Sequence, residues 1–132
     1  MFSGVTNEIA IGRASNTYFF SPEAPIRLKK YLPNARLIAL IRNPVDCVYS
    51  SYMMDVLRGD RTREDFFGFA KDKFKDYHRG GTIHFDSLKC YRDHFGDRIK
   101  VILYDEFADD ASKTMKDVYV FLGVDPNVHP EK

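Results

Sequence analysis

Three short segments carry the residues most able to do chemistry: Gly12-Arg13-Ala14-Ser15, Arg42-Asn43-Pro44 and Tyr104-Asp105-Glu106. Arg42 has the most telling setting. It closes an apolar run that reads as a strand, and Asn43-Pro44 behind it has the cap-plus-proline signature of a helix start. Beside a helix N-terminus, a guanidinium can grip an anion bidentately. The free N–H groups and the positive end of the helix dipole add to that grip. The chemistry would be binding of a phosphate or sulfate group. The competing reading of Arg42 is a structural ion pair with Asp46, within the first turn of the same helix. Arg13 can contact such an anion, or serve as a solvated surface residue. For Asp105 and Glu106, capping or pairing with Arg13 or Arg42 fits better than acid–base work.

The elements that must hold these residues alternate between strand and helix. Arg36–Arg42 has a continuously apolar centre, the pattern of a parallel strand covered on both faces. After Asn43-Pro44, the residues Val45, Val48, Tyr49, Tyr52, Met53 and Val56 fall on one helical face, expected to pack on the sheet. Arg58-Gly59-Asp60 ends that helix. Arg98–Tyr104 reads as a second buried strand, and Glu8–Gly12 as a short third one. Further helices are expected from Ser21-Pro22-Glu23, with Ser21 as cap and Pro22 in the first helical position, to a stop before Pro33, and after a capping box at Thr62–Asp65. Others are expected over Phe85–Phe95, and from Asp109 or Asp110 to Gly123. Gly80-Gly81 breaks the chain between two of them. Strands alternating with helices give an α/β fold with a parallel sheet. Its ligand edge lies past the C-terminal ends of the strands, where all three segments fall.

The bulk numbers fit that frame. The 132 residues are 44% hydrophobic and 30% charged, and 20 Lys and Arg against 19 Asp and Glu leave a net charge of +1. That balance gives no basis for a nucleic-acid or membrane partner, while a small anion needs only local charge. No apolar run reaches the ~18 residues of a membrane span. The first residues lack the basic and apolar pattern of a signal peptide, so the expected location is cytoplasmic. Cys47 and Cys90 lie far apart and read as buried or half-buried thiols. His78, His84, His94 and His129 have no metal-ligand spacing, so no metal is expected. Phe66, Phe67, Phe69, Phe74 and Tyr77 read as core. Lys71–Asp76 reads as a solvated helix face.

The segment from Arg42 to Tyr52, Arg-Asn-Pro-Val-Asp-Cys-Val-Tyr-Ser-Ser-Tyr, resembles the 3′-phosphate-binding segment of sulfotransferases that use 3′-phosphoadenosine-5′-phosphosulfate (PAPS). Ile11–Tyr18 is similar to the family's Ile-Gly-Glu-x-Ser-x-x-Tyr loop. Ser21–Pro25, Val101–Phe107 and Phe121–Val124 match further segments, in order, across nearly the whole chain. The likeness is to the bacterial and heparan-sulfate branch. It implies a three-layer fold of the P-loop nucleotide-hydrolase kind, with residues 1–132 as one partial sulfotransferase domain. It implies PAPS as co-substrate, bound at its 3′-phosphate by Arg42 and Ser50, and transfer of a sulfuryl group to a hydroxyl or amine without a metal. The acceptor would be a small molecule or a carbohydrate.

The family's 5′-phosphosulfate loop, of the Lys-x-Gly-Thr-Thr kind, has no counterpart; Gly80-Gly81-Thr82 comes nearest and carries no lysine. Arg13 stands where relatives have Glu, and Ser15 where the cytosolic branch has its catalytic His. No general base can therefore be assigned, and Arg13 is the sole catalytic candidate. Cys47 occupies a position that is often Arg. The chain reads as truncated at both ends, with an incomplete sheet whose edge invites a second copy. The alternative function is a non-catalytic nucleotide-binding or assembly module.

Overall fold

A computed structural model of the chain describes residues 7–15, 17–63, 65–79 and 85–128. A 3-10 helix at Tyr18–Phe20 leads into α1 (Ala24–Tyr31), β1 (Leu37–Ile41), α2 (Pro44–Arg58) and α3 (Phe66–Arg79). Then come α4 (Phe85–Phe95), a 3-10 turn at Gly96–Arg98, β2 (Ile99–Leu103), α5 (Tyr104–Asp109) and α6 (Ala111–Leu122). The fold is the α/β arrangement read from the sequence. Among the described residues the sheet has two strands, β1 and β2, paired in parallel from Leu37 opposite Ile99 to Ile41 opposite Leu103.

Local chemistry explains the helix ends. Asn43 caps α2, its side-chain oxygen accepting from the Val45 N–H at 2.9 Å, with Pro44 in the first turn. Asp110 caps α6 in the same way, accepting from the Lys113 N–H at 2.9 Å. Gly59 and Gly123 close α2 and α6 in the left-handed conformation, at φ 80° and 76°. Arg36 reaches across to the end of α6 and donates to the Phe121 carbonyl at 2.8 Å.

Two apolar clusters hold the elements together. Ala24, Tyr91 and Phe95 form one, with Phe19, Leu28, Leu37 and Ile99 against it. Through it α1 and α4 press on the beginnings of both strands. Val48, Tyr52 and Phe69 form the other, with Met53, Val56, Phe66 and Phe74 around them.

Several expectations are corrected here. Glu8–Gly12 forms no strand, and Ile9 is 87% exposed. A strand exists only where a neighbour takes its backbone hydrogen bonds, and this segment finds none in the sheet. The apolar face of α2 packs on α3, not on the sheet. An apolar helical stripe says that a helix is covered, not by what. The two strands are not covered on both faces either, since Ile38 and Leu40 are 43% and 54% exposed and Val101 and Leu103 are likewise exposed. In a pair, each strand is an edge and lacks the lateral neighbours that complete a packed layer. Ser21-Pro22-Glu23 forms a turn, and α1 begins at Ala24 with Pro25 in its first turn. Asp65, not Thr62, directly precedes α3, its carbonyl accepting from the Phe69 N–H. The Thr62 carbonyl instead accepts from the Tyr52 hydroxyl at 3.0 Å. Phe69 is core, but Phe67 is 86% exposed. Gly80-Gly81, His84, His129 and the side chains of Tyr77 and His78 lie outside the description.

Candidate functional site

The parallel register carries two residues to the same sheet edge. Ile41 pairs with Leu103, so the next residues, Arg42 and Tyr104, leave the sheet side by side. Arg42 turns into α2, and Tyr104 opens α5. The Arg42 guanidinium lies on the Tyr104 ring, its central carbon 4.6 Å from the ring centroid. Stacked there, its Nε is buried and has no hydrogen-bond partner. A desolvated cation without a counter-charge is costly, and the electron-rich ring face recovers part of that cost.

Asp46 does not pair with Arg42. It lies exposed in the first turn of α2, a favourable place for an acid at the positive end of the dipole. Asp105 and Glu106 fill the same role in the first turn of α5. The expected pairing of either with Arg42 is therefore corrected: its contact in that segment is the ring of Tyr104. The sequence had marked the right segment but the wrong residues. The stack could be read only from the strand register, which one sequence does not show.

Ser50 is half-buried, two turns into α2. Helical spacing puts it on the side that bears Asn43 and Cys47, opposite the Val48 and Tyr52 face that meets α3. Arg42 and Ser50 thus belong to one strand–turn–helix unit whose capped N-terminus lies at the sheet edge. Cys47, between them, is a free thiol. Burial pushes it above the ordinary thiol range; the Arg42 charge pulls it down and Asp46 pushes it up. The net upward shift leaves a protonated thiol at neutral pH, not an activated nucleophile.

Arg13 lies elsewhere in the chain's organisation, in the exposed irregular stretch before the Tyr18–Phe20 helix. Without the expected strand it is not held at a strand end, and no element ties it to Arg42. Arg98, just before β2, resembles Arg42 in having a buried Nε without a partner. Desolvation alone therefore does not mark a site. Arg42 differs in standing beside a capped helix N-terminus, at the edge where α/β folds receive ligands.

The donors around Arg42 suit an oxyanion. A phosphate accepts from guanidinium, hydroxyl and backbone N–H alike, and among the described residues no carboxylate forms an ion pair with Arg42. Among the described residues no cluster of His, Cys, Asp and Glu could hold a metal ion. His94 has its Nδ1 2.8 Å from the Cys90 carbonyl oxygen. No helix among the described residues is long and apolar enough to cross a membrane.

Comparison with known proteins agrees with this reading of the fold. The sequence pattern of the "Sulfotransferase family" matches residues 18–128. The crystal structure of a sulfotransferase from Alicyclobacillus acidocaldarius superposes with a TM-score of 0.83 at 34% identity. That match covers 98% of this chain and 56% of the other, so the chain spans little more than half the length of that protein. No curated protein matches the chain.

Proposed function

We propose that this chain, which belongs to the sulfotransferase family, contributes the 3′-phosphate-binding part of an enzyme that moves a sulfuryl group from PAPS to a hydroxyl or amine. The acceptor would be a small molecule or carbohydrate. The observation that carries the reading is Arg42, a half-buried cation stacked on a ring, with no ion pair among the described residues, next to the capped start of α2.

In this reading each residue has a separate task. The guanidinium of Arg42 grips the 3′-phosphate through its terminal nitrogens. Ser50 adds a neutral hydroxyl donor. Asn43 keeps the first turn of α2 in place, so that its dipole supports the negative charge. Bound PAPS would itself supply the activated sulfuryl group, whose bond to the phosphate oxygen breaks as the acceptor's bond to sulfur forms. The 3′-phosphate lies remote from that bond. Binding energy gathered on it orients the reacting end and does not touch it. Arg42, Asn43 and Ser50 therefore bind and orient, and the proton that the acceptor releases as its bond to sulfur forms passes to a base that these three do not supply.

Calorimetric titration with 3′-phosphoadenosine-5′-phosphate, beside 5′-AMP, tests the proposal. The bisphosphate binds and 5′-AMP does not. Arg42→Ala weakens the bisphosphate by about 2–5 kcal/mol, at least ~30-fold. Equal binding of the two nucleotides, or an undiminished affinity in Arg42→Ala, would refute it.

A further inference from the structure

The proposed anion site rests on a side chain with many rotamers, and an arginine free to swing loses entropy whenever it is pinned by a ligand. Arg42 is not free. Its guanidinium is held 4.6 Å over the Tyr104 ring, and its Nε is desolvated. Both backbones are fixed by the β1–β2 register, since the residues just before them, Ile41 and Leu103, are paired. The stack therefore joins the ends of two strands through side chains alone.

We infer that Tyr104 is a positioning residue: its ring face fixes the Arg42 guanidinium in advance, so that the anion meets a pre-set cation. The inference rests on the 3′-phosphate reading for its ligand but not for the stack. Three features support it. The ring lies against the guanidinium whose Nε is buried without a hydrogen bond, replacing lost hydration with attraction to the ring quadrupole. Asp46, Asp105 and Glu106 do not pair with Arg42, and among the described residues no carboxylate competes with the ligand. With the ring as its support, the cation is oriented but not neutralised. An acid in place of Tyr104 would orient Arg42 equally well and repel a phosphate.

The face of the ring matters in this account, not its hydroxyl. Tyr104→Phe keeps bisphosphate affinity within about twofold. Tyr104→Leu, of similar bulk but without a quadrupole, weakens it roughly five- to thirtyfold. An independent reading comes from NMR of the ligand-free chain. The Arg42 Nε proton, lying over an aromatic face, resonates upfield of ordinary arginines. It is assigned by its loss in Arg42→Lys, and the shift survives Tyr104→Phe and vanishes in Tyr104→Leu. An unshifted Arg42 proton in the wild-type chain overturns the inference even if a Tyr104 variant fails to fold. So does a Tyr104→Leu chain that binds as tightly as wild type, or a Tyr104→Phe chain that loses as much as Tyr104→Leu. A chain that binds neither nucleotide but shows the shift, with its loss in Tyr104→Leu, upholds the pre-set cation and rejects the phosphate reading.

Discussion

The two ends of the β1–β2 pair are built on opposite plans. Where the strands begin, Leu37 and Ile99 run into Ala24, Tyr91 and Phe95. The Tyr91 hydroxyl donates to the Tyr18 carbonyl at 2.8 Å, Phe19 stacks on the Tyr91 ring, and Lys29 lies over Phe95. Where they end, apolar cover gives way to one cation on one ring beside one helix N-terminus. The first end is closed by packing and holds α1 and α4 to the sheet. The second is where we propose that the anion binds. In that reading one sheet separates what holds the fold from what binds, and the arginine at the second end is informative because no acid among the described residues pairs with it.

That contrast can be broken first through stability. Phe95→Ala removes a buried ring from the closed end and costs about 3–5 kcal/mol by urea unfolding. Arg42→Ala, at the open end, leaves stability nearly unchanged, since it removes a desolvated group along with its contact. Comparable losses in the two variants would mean that the open end is structural too. Ser50→Ala sharpens the site itself. Loss of one neutral donor weakens bisphosphate binding by about 0.5–1.5 kcal/mol, well below the effect of Arg42→Ala. The smallest effect falls on Arg98. It shares the buried, unbonded Nε but sits at the closed end, so Arg98→Ala leaves bisphosphate affinity within ~0.5 kcal/mol in the same titration. A large loss there would remove the distinction between the two arginines.

What could be read from the sequence follows the range of the interaction. Asn43-Pro44, Asp110, Gly59 and Gly123 act on backbone groups a few residues away, and the helix ends they mark are where the sequence put them. The strands at Leu37–Ile41 and Ile99–Leu103, and α4, also lie within the expected segments. Interactions between distant segments were harder. Glu8–Gly12 has the residues of a strand but joins neither β1 nor β2, and α2 has the stripe of a sheet-packing helix but meets α3. α5 was missed because Tyr104–Asp109 is a short helix begun directly from a strand without a side-chain cap. At the site, the type and place of Arg42 were legible, and so was its strand–turn–helix setting. The Tyr104 contact was not, because it depends on which residue of β2 stands opposite Ile41.

A crystal structure of the chain with 3′-phosphoadenosine-5′-phosphate bound tests the central claim most directly. The account predicts the 3′-phosphate against the terminal nitrogens of Arg42 and the Ser50 hydroxyl, at the start of α2, with the guanidinium still on Tyr104. A nucleotide whose 3′-phosphate lies elsewhere, with Arg42 turned to solvent or to a carboxylate, would contradict it.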